Sequence, residues 1–303
     1  MNILITGVAG FLGSNIAKRF IQEGFKVIGV DNLSSGNLAN VPEKVDFYNL
    51  DLIDCASLSK IPTNCDLILH LAGQSSGEIS FHNPIEDLKK NTISTLNLIK
   101  YGIENKIKRF LYASSMSVYG DVNCALKGAS EDSDLNPKSC YGIGKISSEN
   151  YLKVYRDKLP FVNLRMFNVY GPGQDMKNMK QGMVSIYLSQ AINTNKIIVK
   201  GSLLRFRDFI YIDDVVEAWF RASLSEKAIN HSINLGTGKK TTVSSIIEKI
   251  KFITGVNEVV VEEETPCDQL GIYADISKLN NILDFNPEVD LLKGLKNFYA
   301  WAK

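Results

Sequence analysis

Tyr141 and Lys145 stand four residues apart in the run Ser139-Cys140-Tyr141-Gly142-Ile143-Gly144-Lys145. On a helix that spacing puts both side chains on one face, about one turn apart. An ammonium held beside a phenol stabilises the phenolate. A tyrosine that is ordinarily protonated at neutral pH then becomes usable as an acid and base. Ser115 ends the apolar run that begins Arg109-Phe110-Leu111-Tyr112-Ala113, and at a strand end its hydroxyl is placed to donate to the same substrate oxygen. Ser115, Tyr141 and Lys145 are the expected catalytic group.

A second constellation supplies a partner for such chemistry. Gly7-Val8-Ala9-Gly10-Phe11-Leu12-Gly13 follows an apolar strand-like segment and precedes an amphipathic one. Glycines in that context permit a tight turn and let a pyrophosphate approach backbone N–H groups at a helix N-terminus. Asp31 lies at the end of the next apolar run, where a carboxylate can accept from adenosine ribose hydroxyls. It would repel a 2′-phosphate, and Asn32-Leu33-Ser34-Ser35 offers no arginine to hold one. The expected cofactor is therefore NAD rather than NADP. Asp51-Leu52 is expected near the adenine, and Leu71-Ala72-Gly73 along the pyrophosphate.

The elements that would position these groups alternate short apolar runs with amphipathic stretches, the signature of βαβ units around a parallel sheet. Strands are expected at 2–6, 26–31, 45–49, 66–71, 109–114 and 161–167, and helices at 11–23, 85–105 and 141–157. Pro84 suits the first turn of the second helix, where its missing N–H costs nothing. Beyond Gly171-Pro172-Gly173 the alternation loosens. A loop is expected over 174–181, helices near 182–193, 243–254 and 291–301, a further helix opening at Asp213-Asp214, and strands at 207–211, 233–235 and 259–262. The fold class is α/β: a Rossmann-like doubly wound parallel sheet with a smaller, interleaved C-terminal α/β domain. The division expected is 1–170 for NAD, with part of about 205–237 returning to it, and 171–303 mainly for substrate.

Composition excludes several other classes. The 303 residues are 45% hydrophobic and 22% charged, an ordinary globular balance. A net charge of +1 leaves no electrostatic footprint for nucleic acid. No apolar run nears the roughly 20 residues that span a bilayer, and the start lacks the basic region of a signal peptide. Five scattered cysteines without a Cys-x-x-Cys pair fit reduced thiols in a cytoplasm. Neither they nor His70, His82 and His231 have metal-ligand spacing, so no metal is expected.

Taken together, the motifs resemble the extended short-chain dehydrogenase/reductase superfamily, and within it the nucleotide-sugar epimerases and dehydratases. The resemblance runs in order through Gly7–Gly13, Asp31-Asn32-Leu33-Ser34-Ser35-Gly36, Asp51-Leu52, His70-Leu71-Ala72-Gly73, Asn91 and Ser114-Ser115-Met116-Ser117-Val118-Tyr119-Gly120. It continues through Tyr141/Lys145, Leu164-Arg165-Met166-Phe167-Asn168-Val169-Tyr170-Gly171-Pro172, Arg207-Asp208-Phe209 and Ala274-Asp275-Ile276-Ser277-Lys278. It implies NAD contacts from Gly7, Gly10, Phe11, Leu12, Gly13, Asp31, Asn32, Ser35, Gly36, Asp51, Leu52, Leu71, Ala72, Gly73, Asn91, Tyr141, Lys145 and Phe167. It further implies substrate contacts from Ser76, Ser115, Asn168, Arg207, Asp268 and Ile272, with a nucleotide-diphosphate sugar as substrate and a homodimer as the assembly.

The two positions after the catalytic hydroxyl divide this family. Dehydratases resemble Thr-Asp-Glu there, because eliminating water needs a further acid and base, and decarboxylating relatives keep a glutamate at the second position. This chain has Ser115-Met116-Ser117, which is similar to the 4-epimerases. The implied reaction is epimerisation at C4 through a 4-keto sugar, on UDP-glucose/galactose or N-acetylhexosamine substrates. A nucleotide-4-keto-sugar reductase is the alternative, and an NAD-binding sensor or scaffold a remote one. The family often reads Arg-x-Gly-Asp where this chain reads Thr265-Pro266-Cys267-Asp268. A charge-assisted contact to phosphate is thereby lost, and the load is expected on Arg207 or on another basic residue.

Overall fold

The computed structural model describes residues 1–122, 127–180, 182–263 and 270–303. In chain order its strands and helices are β1 (Asn2–Thr6), α1 (Phe11–Gln22), β2 (Lys26–Asp31), β3 (Val45–Asn49), β4 (Leu67–His70), α2 (Gly77–His82), α3 (Pro84–Leu88), α4 (Ser94–Glu104), β5 (Arg109–Ser115) and α5 (Cys140–Tyr155). There follow β6 (Phe161–Met166), β7 (Asn168–Tyr170), α6 (Met183–Thr194), β8 (Lys196–Lys200), β9 (Phe206–Arg207), β10 (Phe209–Tyr211) and α7 (Ile212–Leu224). The chain ends with β11 (His231–Leu235), β12 (Thr241–Thr242), α8 (Val243–Thr254), β13 (Glu258–Glu262), α9 (Ser277–Leu283) and α10 (Leu291–Ala302).

Seven strands form one parallel sheet in the order β11-β6-β5-β4-β1-β2-β3. Strands buried on both faces read as continuous apolar runs, and β1 and β4 do so: Ile3, Leu4 and Ile5, then Leu67, Ile68 and Leu69, all lie in the core. One face packs α1 and α7 around Phe20, Trp219 and Ile210. The other packs α4 and α5 around Leu98, Phe110, Tyr112 and Leu152. The order of connection reverses between β1 and β4, and at such a switch point the strand ends diverge to leave a crevice.

Residues after β7 build a second layer beyond that crevice. There α6, α8 and α10 enclose Leu188, Ile246, Ile250 and Phe298 against the two-stranded β8–β13 ribbon. The chain re-enters the first layer in between: β10 pairs with β7, α7 covers α1, and β11 becomes the edge of the main sheet beside β6.

Several local outcomes differ from the sequence expectation. The helix expected over 85–105 is broken into α3 and α4 by a π-helical turn at Lys89–Ile93. Asn91 and Thr92 of that turn are buried, and such single π-turns are frequent at functional sites. The strand expected over 207–211 is divided by Asp208, whose buried carboxylate accepts from Thr237 N–H (2.8 Å), Gly238 N–H (2.9 Å) and Ala274 N–H (3.2 Å). Helices α2 and α9 and strand β8 were not expected from the sequence pattern at all. They are short, and neither period 2 nor period 3.6 develops over so few residues.

Candidate active site

A cavity of about 1370 Å³ occupies the switch-point crevice. It exceeds the roughly 300–1,000 Å³ of a pocket for one small ligand, which leaves room for two ligands side by side.

One end is made of backbone. Gly10 caps α1 without a side-chain hydrogen bond, so the first-turn N–H groups at Phe11, Leu12 and Gly13 face the cavity unclaimed by any capping side chain. Gly7 adopts φ +71, and a Cβ there would lie 2.7 Å from the Ala72 nitrogen. A Cβ on Gly13 would lie 2.1 Å from the Gly7 carbonyl oxygen, so side chains at either position would force helix and strand apart. Asp31, Asn32, Ser35, Gly36, Asp51 and Leu52 line the far end of the same cavity. Asp31 is fixed by Ala9 N–H (3.0 Å) and Leu33 N–H (2.8 Å), and Asp51 by Asn32 Nδ2 (3.2 Å) and Ile53 N–H (2.9 Å). The cationic side chains on the described wall are Lys90, Lys145, Lys177 and Lys180; none comes from the segment around Asp31. An uncapped helix end for a pyrophosphate and a carboxylate for the ribose fit NAD.

The other end holds the hydroxyl groups. Ser115 ends β5, and its Oγ accepts from Ser117 N–H (3.1 Å) and donates to Ser117 Oγ (3.2 Å). The Ser139 hydroxyl caps α5 by accepting from Gly142 N–H (3.1 Å), and this starts the helix one residue before Tyr141. Gly142 lets α5 approach β5, since a Cβ there would lie 2.5 Å from the Ser117 carbonyl oxygen. Tyr141 and Lys145 are both buried and line the cavity with Ser115. The Lys145 Nζ sits 5.5 Å from the Tyr141 ring centroid and 4.9 Å from that of Tyr112.

The electrostatics depart from the expectation of a depressed tyrosine. Burial dominates and pushes the Tyr141 phenol up to about 12; the Ser115 hydroxyl pulls it down, and the charge of Asp87 adds to the rise. Lys145 moves the other way, down to about 8, because burial penalises its ammonium more than Asp87 and Glu149 support it. Beneath it His70 is sealed between Thr6 Oγ1 (2.7 Å) and Thr95 Oγ1 (3.0 Å), and burial lowers it to about 3. His70 is a neutral structural histidine.

The remaining expected contacts fall at different depths. Leu71, Ala72, Gly73, Ser76, Phe167 and Asn168 line the cavity. The Ser76 hydroxyl caps α2 by accepting from Ile79 N–H (3.3 Å), and Asn168 Nδ2 donates to the Asp208 carbonyl (3.1 Å). Asn91 lies one layer behind the wall, its Oδ1 2.5 Å from where a Cβ on Gly73 would be. Arg207 is half-buried in β9, with Nη1 donating to the Phe206 carbonyl (2.8 Å), and is not part of the cavity wall. Ile272 is likewise absent from that wall; it packs in an apolar cluster with Val118, Tyr119, Phe167 and Ala274. Thr265 and Asp268 lie outside the described residues. Residues not singled out from the sequence also reach the site: Gln74, Lys177, Lys180 and Trp301 on the wall, and Asp87 behind it. For Asp87 the available signal was its place four residues before Asn91, on the same helical face.

An uncapped α1 terminus at a switch point, carboxylates at the ends of β2 and β3, and a serine, tyrosine and lysine facing them define a dinucleotide-dependent short-chain dehydrogenase/reductase site. Comparison with known proteins narrows the class. Residues 3–236 match the NAD dependent epimerase/dehydratase family, and the chain belongs to that family. A UDP-glucose 4-epimerase of Mycolicibacterium smegmatis is 32% identical over 97% of this chain and 96% of its own length. A UDP-glucuronic acid decarboxylase of Xenopus tropicalis is 31% identical over 97% of this chain and 70% of its own. Among solved structures, the UDP-glucose 4-epimerase of Thermotoga maritima with UDP-glucose superposes with a TM-score of 0.95 at 34% identity, covering 100% of this chain and 98% of that one.

Proposed function

We propose that this chain is an NAD-dependent epimerase of nucleotide-activated sugars that inverts C4 of a UDP-hexose. The observation that carries the reading is the meeting of Ser115, Tyr141 and Lys145 at one end of a two-ligand cavity, with the non-ionisable Met116 and Ser117 beside them. Elimination or decarboxylation would call on a carboxylate at those two positions. Similarity to the epimerases named above supports UDP as the nucleotide.

NAD, when bound, supplies a hydride acceptor that becomes the donor on the return step. Tyr141 takes the proton of the C4 hydroxyl as hydride leaves C4, and Ser115 holds the C4 oxygen throughout. The 4-keto sugar then presents its opposite face, hydride returns, and Tyr141 gives the proton back. Lys145 provides the positive charge that draws Tyr141 toward the phenolate, against the burial that holds it protonated. The half-turn of the sugar requires the grip to fall on the diphosphate and nucleotide, a role expected of Asn168, Arg207 and Asp268.

Assembly as a homodimer is supported by an exposed apolar face. Ile143, Tyr151, Val154 and Tyr155 lie along one side of α5, and Ile85 and Leu88 are exposed on the neighbouring α3. Among the described residues no helix is long and apolar enough to cross a membrane, and Cys55, Cys65 and Cys140 are free thiols. A cytoplasmic location fits the thiols.

The test is proton NMR of UDP-glucose incubated with the protein and no reductant. Appearance of UDP-galactose signals is expected. Net NADH consumption on a 4-keto sugar would replace this reading with reduction, and pentose formation from UDP-glucuronate would replace it with decarboxylation.

A further inference from the structure

Behind the wall at residues 73–76 lies a buried polar cluster that the proposed chemistry does not use. Asp87, at 2% exposure, accepts through Oδ1 from Asn91 Nδ2 (3.0 Å) and Gln74 Nε2 (2.9 Å). Its other oxygen, Oδ2, is fully buried and has no hydrogen-bond partner, and the same is true of Asn91 Oδ1. A buried unpaired polar oxygen is costly, so two such atoms at one site need a reason. Lys145, at 4% exposure, is the buried cation beside them. The position of a Gly73 Cβ is 3.7 Å from Lys145 Nζ and 2.5 Å from Asn91 Oδ1, and that of a Gly144 Cβ is 3.4 Å from Asp87 Oδ2. The other carboxylate near Lys145, Glu149, is already claimed by Arg165 through Nε (3.0 Å) and Nη2 (2.7 Å).

We propose that Asp87 is a positioning residue of this site: the buried countercharge that keeps Lys145 an ammonium and, through Gln74, braces the cavity wall at residues 73–76. Gln74 completes the brace by donating to the Ser76 carbonyl (2.7 Å) and accepting from Ser76 N–H. Among the described groups facing Lys145, Asp87 is the carboxylate that no other cation claims, since Glu149 is paired with Arg165. His70 from β4 and Tyr112 from β5 are neutral, Tyr141 and the Arg165-bound Glu149 share α5 with it, and Lys90 from the π-turn is a further cation on the wall. Burial alone favours a neutral lysine, and Asp87 is the largest influence opposing it. The same carboxylate raises the Tyr141 phenol, so removing it lowers both midpoints, and a signal from the lysine side chain itself is needed to assign the shift to Lys145. The kinetic arm of the test rests on the epimerase reading above; the spectroscopic arm does not.

The experiment is an NMR titration of the Lys145 side chain in ¹³C-lysine-labelled protein, assigned with Lys145→Met, together with the pH profile of turnover. Asp87→Asn keeps the volume and removes the charge. We expect the Lys145 midpoint to fall by about 1–3 pH units, the high-pH limb of kcat/KM to move down with it, and Asp87→Glu to restore both. Linkage requires the converse as well: Lys145→Met should raise the Asp87 carboxyl midpoint in ¹³C-aspartate-labelled protein. That arm is read without the Asp87 variants folding. An unchanged Lys145 midpoint in folded Asp87→Asn, or an unchanged Asp87 midpoint in Lys145→Met, overturns the proposal. Absence of epimerase activity in the wild-type protein would overturn the epimerase reading alone.

Discussion

Two buried charged sites flank helix α5 one turn apart, and they are built in opposite ways. On one side Glu149 is saturated: Arg165 reaches it with two nitrogens, and Ser114 and Ser232 (3.4 Å) donate hydroxyls. Arg165 is completed by the Tyr119 hydroxyl (3.0 Å) and the Glu131 carbonyl (3.3 Å). On the other side Lys145 and Asp87 sit in the same degree of burial with acceptor atoms left unpaired. A satisfied buried pair has nothing left to offer a ligand. In the unsatisfied one the unpaired acceptors lie behind the cavity wall, next to a lysine that reaches it. The first site ties β6 to α5; the second faces the cavity.

The largest expected effect lies on the unsatisfied side. Tyr141→Phe keeps the ring but removes the proton-transfer group, and turnover should fall by ~10²–10⁴-fold or more, with NAD and UDP-sugar binding retained in calorimetry. Ser115→Ala removes a hydrogen bond rather than the base and should cost less. Near-normal turnover in Tyr141→Phe would place the chemistry elsewhere.

Stability should show the opposite ranking. Arg165→Met leaves Glu149 charged, buried and unpaired, a change expected to cost about 3–5 kcal/mol in denaturant unfolding. Lys145→Met leaves Asp87, which burial already pushes toward its neutral form, so the loss should be much smaller. Equal losses in the two variants would erase the distinction between the sites.

A third measurement addresses the layer beneath Lys145. His70 is held far below its ordinary value of 6.5, at about 3, so the unfolded chain binds a proton there that the folded one refuses. Stability should be fully present above pH 6.5 and decline on acidification toward 3, by roughly 1.4 kcal/mol for each pH unit in between. His70→Asn should flatten this part of the curve. If both proteins lose stability in parallel, the histidine is not the proton acceptor.

The smallest effect is expected at Ile272. It belongs to the same apolar cluster as Phe167, with Met116 packed against that cluster, and Phe167 and Met116 both reach the cavity wall. Ile272→Tyr overfills this buried cluster, costing about 1–3 kcal/mol of stability. The narrowed cavity should depress activity on an N-acetylated sugar more than on a plain hexose. Equal losses on both sugars would make Ile272 a core residue only.

Much of this site could be read before the fold was known, and the readable part shares one property. Gly7, Gly10 and Gly13, Ser115 at a strand end, and Tyr141 with Lys145 on a helix turn all derive their meaning from neighbours fewer than ten residues away. Asp31 is legible for the same reason, since a strand end and a preceding glycine turn place it. Asp87 was not legible, because its role depends on the π-turn at Lys89–Ile93, on α5 and on the loop at residue 74. Asp208 was visible only as a member of a motif; the two backbone segments it gathers, at 237–238 and at 274, are distant in the chain.

By itself, the sequence determined the alternating layers and the glycine-rich dinucleotide cradle, and it marked the candidates for the ribose carboxylate and the acid/base group. These follow from local periodicity, glycine sterics and side-chain chemistry, which act over a few bonds. Only the tertiary structure decided the charge states. Burial raised Tyr141, lowered Lys145 and silenced His70, and it set Asp87 rather than Glu149 as the partner left for the lysine. Desolvation and long-range Coulomb interactions belong to the packed volume around a group rather than to its neighbours in sequence, so no spacing could have announced them.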